Sequence, residues 1–273
     1  MITDSKSGSF GALPGMISRP RMFFLLSLVS LSMACTDSPE NSEPVTAQYV
    51  VDRAIEVYGG DILENARVTF DFRDKAFVMT RNSGVFSYER MYTDTAGADI
   101  HEIISNEGFT RLINGEQTDT DQDLLARMER SVNAVVYFTR LPNQLNDGAV
   151  IKRYLGKSVI EGQNYHEIEI MFEQEGGGRD YQDRFIYWFH TERFTMDYMA
   201  YYYYTDEQGS RFRKAVNIRE IGGVKFQDYL NYTAPDITFD TIQDYETLFN
   251  EGRVELVSEI TNKNIVVEQL VAN

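Results

Sequence analysis

Side chains that could act in acid–base catalysis or bind a metal are few outside the acidic residues. The chain has three histidines, His101, His166 and His190, and none lies in an HxxxH or HExxH spacing. Those spacings place two imidazoles on one helix face, so no histidine-based metal site is predicted. His190 could form a hydrolytic site with Asp183 or Glu192 at a strand end, and the plainer alternative is a surface histidine. The 42 acidic residues are too numerous to single out a catalytic pair.

Motifs for covalent or phosphate chemistry do not occur in the sequence. It contains no GxSxG elbow, which would present a serine nucleophile on a sharp turn. The segment Glu175–Asp180 is glycine-rich, but it joins two predicted strands and lacks the Lys-Ser/Thr pair of a phosphate-binding loop. A hairpin turn is the better interpretation of that segment. We therefore expect no cofactor and no metal, and we favour a function other than catalysis.

The N-terminal residues have the pattern of an export signal. Arg19 and Arg21 precede an apolar run from Met22 to Ala34. This run is shorter than the roughly 20 apolar residues that a helix needs to cross a bilayer. A basic start, a short apolar run and a small final residue are typical of a secretory signal peptide. We predict a signal peptide over residues 1–34, with Met16 as a second candidate start.

The single cysteine of the chain, Cys35, directly follows the apolar run. The segment Leu31–Cys35 resembles a bacterial lipoprotein box, although Ser32 stands where that box usually has Leu. Acylation would also remove an unpaired thiol from an oxidising compartment. We predict a lipid on Cys35, and the alternative is an ordinary signal peptide. Residues 35–45 are polar and acidic, which predicts a flexible tether.

The charge of the chain limits its partners. The 273 residues include 26 basic and 42 acidic side chains and carry a net charge of −16. This balance argues against nucleic-acid binding, which depends on many Lys and Arg contacts to phosphates. It also argues against electrostatic docking on anionic lipid. We expect residues 46–273 to form a single domain and the protein to be a monomer.

Two segments have the spacing of amphipathic helices. Residues 50–58 carry apolar side chains at helical intervals, and Gly59 and Gly60 follow as a stop. Residues 118–138 repeat this spacing and end near Pro142. We expect both apolar stripes to pack on a sheet.

Most of the remaining chain alternates between apolar and polar side chains. In residues 165–174, for example, Ile168, Ile170 and Phe172 alternate with glutamates. Such alternation is typical of antiparallel strands with one face in water. About ten strands and a few helices predict a mainly β (α+β) fold. We expect a curled antiparallel sheet or half-open β-barrel with the helices over its concave face.

Two aromatic stretches, residues 185–190 and 196–204 within the predicted strands 183–190 and 194–205, are apolar on both faces. Either both faces lie within a thick core, or one face lines a cavity for an apolar ligand such as an acyl chain. Strand parity selects these candidate lining residues: Phe70, Phe72, Phe86, Tyr88, Ile168, Ile170, Phe172, Trp188, Tyr201 and Tyr203. The candidates for a polar rim are His190, Arg211 and Arg213. The two arginines form a local basic cluster with Lys214, which is either a solvated strand face or a contact for an anionic head group.

Several sequence blocks together resemble one family. They are Ala54-Ile-Glu-Val-Tyr-Gly-Gly60, Phe70-Asp-Phe-Arg73, Tyr137-Phe-Thr-Arg-Leu-Pro142, Tyr154-Leu-Gly156, Tyr187-Trp188, and Arg211-Phe-Arg213 with Asn217 and Gly223. The chain resembles a family of Bacteroidetes lipoproteins of unknown function (the DUF6503 type) from Val50 to Val267. Such proteins look like relatives of the LolA/LolB/LppX group. The resemblance implies a half-open antiparallel barrel with a helical lid, a cell-envelope location and an apolar cavity for lipids or lipoproteins. It supplies no catalytic residues.

Three functions remain open at this point. The favoured one is a protein anchored by lipid to the outer membrane, on its periplasmic or surface side, that carries an apolar ligand in a half-barrel cavity. The second is a structural or protein-interaction lipoprotein with a filled core. The third is an envelope hydrolase. The first function predicts an apolar pocket of several hundred Å³ beneath the two helices, since that is the usual size of small-molecule sites.

Overall fold

The computed structural model describes residues 44–118, 120–176, 181–204 and 208–271. The predicted signal peptide, Cys35 and most of the predicted tether lie outside these residues. The described helices are α1 (Ala47–Val57), α2 (Gly60–Leu63), α3 (Gln122–Arg140) and α4 (Tyr245–Asn250), with short 3₁₀ turns at Asn143–Asn146 and Ile242–Asp244. Not one of these helices is long and apolar enough to cross a membrane.

The first sheet begins directly after α2. Its strands are β1 (Ala66–Phe72), β2 (Lys75–Asn82), β3 (Val85–Thr93), β4 (Asp99–Ser105), β5 (Gly108–Ile113) and β6 (Glu116–Gln117). Each strand pairs antiparallel with the next. The first sheet is therefore a meander from which α3 leads to the second half of the domain.

The second sheet follows α3 and is also a meander. Its strands are β7 (Val150–Ile160), β8 (Gln163–Phe172), β9 (Arg184–His190), β10 (Met196–Tyr203), β11 (Gly209–Ile221), β12 (Val224–Thr233) and β13 (Glu255–Ile260). The last described strand, β14 (Asn262–Gln269), returns to the first sheet and pairs with β1. Each sheet thus has seven described strands, and they are neighbours in the order β14-β1-β2-β3-β4-β5-β6 and β13-β12-β11-β10-β9-β8-β7.

This architecture confirms the predicted fold class, which is mainly antiparallel β with few helices and sheets that do not close into a barrel. The prediction of about ten strands omitted β2, β14 and the two-residue β6. In β2, Phe77, Val78 and Met79 are consecutive buried residues, so the alternation that marks a half-buried strand is absent. Strand β14, which pairs with β1, begins with a polar run at Asn262, and its apolar residues are consecutive, so it shows no clear alternation either.

Helix α1 covers one face of the second sheet, which we call the inner face. The helix begins where the hydroxyl of Thr46 accepts a hydrogen bond from the amide of Tyr49, 3.1 Å away. Val50, Val51 and Ala54 are fully buried on its other side. They pack in one cluster with inner-face residues that include Ile168, Ile170, Tyr187, Met199 and Tyr229. The predicted helix of residues 50–58 therefore packs on a sheet, as expected.

Helix α3 contacts both sheets. It begins at Asp121, whose side chain accepts a hydrogen bond from the amide of Leu124 at 3.0 Å. Val132 and Val136 are buried against the first sheet, in a cluster with Phe70, Phe77 and Tyr88. At the C-terminal end of the helix, Tyr137 and Phe138 reach Phe185 and Tyr201 of the second sheet. Both predicted helices therefore pack on the sheets, α1 on the second and α3 on both.

The opposite, outer face of the second sheet is covered as well. Trp188 and Phe212 are fully buried there, and α4 closes over them through Tyr245 and Phe249. The rings of Phe212 and Phe249 are 4.9 Å apart. All residues of β9 are buried, which explains why residues 185–190 are apolar on both faces.

Candidate functional site

A continuous row of side chains crosses the inner face from β9 to β13. In an antiparallel pair, directly paired residues lie on the same face of the sheet. The registers pair Tyr187 with Met199, Met199 with Arg213, Arg213 with Asn231, and Asn231 with Ser258. The row is therefore apolar at β9 and β10 and polar from β11 to β13.

Arg213 is the charged member of this row and is almost fully buried, with 7% of the residue exposed. Its Cζ lies 3.8 Å from the ring centroid of Phe138, at the end of α3. The rings of Tyr201 and Tyr229 flank the guanidinium at 5.1 and 5.7 Å. These are cation–π distances. The Arg213 Nη2 also donates a hydrogen bond of 2.8 Å to the hydroxyl of Tyr201, so the aromatic rings fix the position of the cation.

A cleft of about 210 Å³ opens beside Arg213. It lies where the C-terminal half of α3, the end of β1 and the inner face come together. Its apolar wall is formed by Phe72, Ala134, Val135, Phe138, Tyr229 and Ile260, and its polar lining by Arg73, Thr139, Arg213, Asn231, Ser258 and Asn262. No acidic side chain is among these described lining residues. The cleft is smaller than the several hundred Å³ that we expected beneath the helices.

The polar lining is partly hydrogen-bonded within itself. Asn231 Nδ2 donates to the hydroxyl of Ser258 at 3.2 Å, and Asn262 Nδ2 donates to the hydroxyl of Thr139 at 3.2 Å. Two buried atoms, Asn231 Oδ1 and Arg213 Nε, have no hydrogen-bond partner among the described residues. Such atoms are uncommon in protein interiors because leaving them unpaired is unfavourable.

The phenols near Arg213 do not balance its charge. Burial raises the pKa of Tyr229 to about 12, although the hydrogen bond with Gln227 and the charge of Arg213 act in the opposite direction. Burial likewise raises the pKa of Tyr187 and of Tyr137. All three hydroxyls therefore stay protonated near neutral pH, and the positive charge at this end of the inner face is not neutralised by a tyrosinate.

The structure places the predicted lining residues in several different surroundings. Phe72 lines the cleft and Tyr201 contacts Arg213, whereas Phe172 and Tyr203 are half-buried farther along the inner face. Ile168 and Ile170 are fully buried beneath α1. On the first sheet, Phe70, Tyr88 and the half-buried Phe86 belong to the cluster under α3. The set therefore does not surround one common cavity.

Trp188 lies on the outer face of the second sheet and not with the other predicted lining residues. Its ring packs on Phe212 at 5.8 Å. Trp188 alternates with Tyr187 and Phe189 along β9, so its side chain points away from α1 and α3. It takes part in the core under α4.

Of the three predicted rim residues, the two arginines are neighbours and the histidine lies apart. Arg213 lines the cleft, and Arg211 lies next to it on the inner face, 5.8 Å from the ring of Tyr203. His190 ends β9 on the outer face, where its Nδ1 accepts hydrogen bonds from the backbone amides of Glu192 and Arg193 at 3.1 and 3.3 Å. Its other ring nitrogen is 3.4 Å from Gln163. This histidine therefore organises a turn and, among the described residues, has no carboxylate partner.

Several cleft residues were not predicted from the sequence. Asn231 on β12 and Ser258 on β13 lie on the same face of the sheet as Arg213. The alternation of side chains along those two strands could therefore have indicated them. Phe138 continues the helical spacing of Val135. Asn262 belongs to β14, which the sequence did not indicate.

Within the ranges that the structure describes, no three His, Cys, Asp or Glu side chains are grouped so that they could hold a metal ion.

Comparison with known proteins assigns the chain to a family. The model of a family of unknown function (DUF6503) matches residues 21–262. The chain belongs to this family. The resemblance drawn from the sequence blocks is confirmed to that extent, while no curated protein matches the sequence.

Solved structures with a similar chain path share little sequence with this protein. A LolA superfamily protein from Nitrosomonas europaea is 10% identical with a TM-score of 0.45, over 84% of this chain and 96% of its own. A DUF1329 family protein from Desulfovibrio piger is 10% identical with a TM-score of 0.37, over 81% and 92%. The Mycobacterium tuberculosis lipoprotein LppX is 9% identical with a TM-score of 0.26, over 56% and 86%.

Proposed function

We propose that this protein is a monomeric lipoprotein of the cell envelope that reversibly binds an apolar ligand, such as a lipid or acyl chain, in the cleft beside α3. The observation that carries the proposal is the cleft itself. Its apolar wall, which includes Phe72, Val135 and Ile260, lies beside the inner face and has no acidic lining residue among those described. Each CH₂ group that enters such a cleft contributes about 0.8 kcal/mol.

The anchor in this proposal is an acylated Cys35. The basic and apolar residues before Cys35 favour export, and the lipid would hold the domain at the outer membrane. Residues 35–45 would then give the ligand-binding domain freedom to move near the membrane surface.

A second candidate function is that of a structural or protein-interaction lipoprotein. One observation favours it: the inner face beneath α1 is solidly packed, with Ile168, Ile170 and Tyr187 fully buried. A ligand could occupy that region only if α1 moved away from the sheet. The two candidates therefore differ in whether the cleft beside α3 takes up a ligand.

Titration with a neutral apolar dye separates the two candidates. N-phenyl-1-naphthylamine becomes fluorescent in apolar surroundings, and we expect the mature protein to bind it saturably at one site. Val135→Phe places extra volume in the cleft and should weaken this binding at least about 10-fold, a change of about 1.4 kcal/mol. Leu124→Phe is the matched control, because Leu124 lies at the far end of α3 and does not line the cleft.

Two results of the dye experiment would contradict ligand binding in the cleft. Absence of saturable binding by the wild-type protein would favour the interaction lipoprotein. Equal weakening by Val135→Phe and Leu124→Phe would mean that the dye binds elsewhere or responds to a change in α3 as a whole.

The anchor is tested independently of the ligand. Cells grown with a radiolabelled fatty acid should label the wild-type protein and not the Cys35→Ser variant. The mass of the purified mature protein should exceed that of the unmodified chain by the mass of the lipid. A mature protein that retains its N-terminal signal, or has a free thiol at Cys35, would contradict the proposed anchor.

A further inference from the structure

The pairing of the buried arginines sets Arg213 apart from the others. Arg90, Arg140, Arg184 and Arg213 each have less than a tenth of their surface exposed. Arg90 is 2.5 Å from Glu102, Arg140 is 3.2 Å from Glu64, and Arg184 is 2.7 Å from Glu169. Among the described residues, Arg213 has no such carboxylate. Of these four arginines, Arg213 is thus the one that has no counter-ion among the described residues.

The guanidinium of Arg213 also keeps most of its hydrogen-bonding capacity. An arginine has five N–H groups, and a single hydrogen bond from Arg213, to the hydroxyl of Tyr201, is made within the described part of the chain. Its Nε is buried and unpaired there. Stacking on Phe138 stabilises the cation from one side but accepts no hydrogen bond in the plane of the guanidinium. Arg213 therefore lines the cleft with N–H groups that have no acceptor among the described residues.

The hydroxyl of Ser258, two strands away from Arg213, adds a second donor to the lining of the same cleft. It accepts a hydrogen bond from Asn231, so its own proton is free to donate. Ser258 follows Asn231 and Arg213 in the row across the inner face. Two donors and an acid-free lining suit an oxyanion, because a guanidinium matches carboxylate and phosphate groups in geometry and charge.

We infer that the ligand of this cleft is a single-chain amphiphile with an anionic head group, which binds Arg213 while its hydrocarbon chain lies against Phe72, Val135 and Ile260. This inference rests on the proposed function and specifies its ligand class. The shared chemistry is an oxyanion on an alkyl chain, and carboxylates and phosphate monoesters both provide it.

Binding of four dodecyl probes to the mature wild-type protein tests the head-group preference directly. The probes are dodecanoate, dodecyl phosphate, dodecanol and dodecyltrimethylammonium, each measured by displacement of N-phenyl-1-naphthylamine below its critical micelle concentration. A hydrogen bond to a charged group predicts that at least one anionic probe binds about 10- to 100-fold more tightly than dodecanol. The cationic probe should bind most weakly. The ratio of dodecanoate to dodecyl phosphate affinity then identifies the head group.

Arg213→Met tests whether this preference comes from Arg213. Methionine keeps an unbranched side chain over Phe138 but removes the charge, so the preference for the anion should fall to within about 3-fold of dodecanol. Arg211→Met is the matched control, since Arg211 is two residues away on the same face and does not line the cleft. It should retain the preference. Arg213→Lys keeps the charge and should retain part of the preference, which covers the case in which Arg213→Met does not fold.

The outcomes distinguish this inference from the proposed function. If dodecanol binds as tightly as both anions, the head-group inference is wrong while the apolar cleft stands. If no probe displaces the dye and the dye itself does not bind, both are wrong. A preference for anions that survives Arg213→Met but is lost in Arg211→Met would show that Arg211 binds the head group. That result would overturn the role of Arg213.

Discussion

The backbone of Gly59 lies so close to that of Gly223 that a Cβ built on Gly59 would be 2.2 Å from the Gly223 carbonyl oxygen. Gly59 lies between α1 and α2 with a φ of +76°, and Gly223 lies in the turn between β11 and β12. Next to this contact, the amide of Lys225 donates a hydrogen bond of 3.2 Å to the carbonyl of Tyr58. The close approach therefore joins the end of α1 to the hairpin that carries Arg213.

We expect Gly59→Ala to destabilise the fold more than Gly84→Ala does. Both glycines have a positive φ, which costs an alanine about 1–2 kcal/mol. A Cβ at Gly84 has no atom within 4 Å, whereas a Cβ at Gly59 meets backbone atoms that cannot move aside cheaply. Gly59→Ala should therefore lose at least about 2 kcal/mol more, since backbone strain and overpacking add to the φ term.

Urea unfolding of the two variants measures this difference. Gly84→Ala controls for the cost of an alanine at positive φ, because it shares the strain and lacks the close contact. Equal losses of unfolding free energy in both variants would show that the Gly59–Gly223 approach relaxes without cost.

The sequence predicted the elements of this fold better than their contacts. Helical spacing identified α1 and α3, and period-2 alternation identified most strands, because both patterns arise from residues close in the chain. The stop at Gly59 was also recognised. Its contact with Gly223 was not predictable, because spacing within a segment says nothing about which distant turn will pack on it.

The candidate site was predictable only in part for a related reason. Phe72 was chosen from strand parity and Arg213 as a candidate for the polar rim, and both line the cleft. Parity could not tell which face of β9 would be covered by which helix, and Trp188 was therefore grouped with residues of the opposite face. The six residues of α4 are too few to show a helical period, so the second covered face was not evident.

A buried carboxylate on the outer face provides a second test of the fold. Glu169 is 1% exposed and accepts hydrogen bonds from Arg184 at 2.8 Å and Arg153 at 2.6 Å. Burial tends to raise its pKa, but the two arginines outweigh that effect and hold the pKa below its ordinary value. Because Arg184 is also buried and donates to the carbonyl of Phe239, we expect Arg184→Met to destabilise the protein by about 3–5 kcal/mol.

Arg153→Met is the matched control for this ion pair. Its side chain is 63% exposed, so removing it should cost no more than about 1 kcal/mol. Chemical denaturation at neutral pH compares the two variants. Similar losses from Arg184→Met and Arg153→Met would contradict the unequal burial of the two arginines.

The pH dependence of stability should depend on Glu167, a half-buried residue of the outer face. Burial raises its pKa to about 7, and the charges of Glu246 and Glu169 act in the same direction against the charge of Arg184. The folded protein therefore holds this proton more tightly than the unfolded chain, whose Glu pKa is about 4.3. The stability contributed by the protonated Glu167 carboxyl is complete below the unfolded-state pKa of about 4.3 and is lost as the pH rises through about 7.

Glu167→Gln should remove this loss. Between pH 5 and pH 8 the unfolding free energy of the variant should rise by about 2 kcal/mol relative to that of the wild type. This value is the free energy that corresponds to the raised pKa, reduced because solvent screens the half-buried carboxyl. Urea unfolding across this range measures the gain, and Glu173→Gln, an exposed residue after the same strand, should leave the wild-type profile unchanged. Parallel pH profiles for wild type and Glu167→Gln would mean that the Glu167 carboxyl is better solvated than its position between β7 and β9 implies.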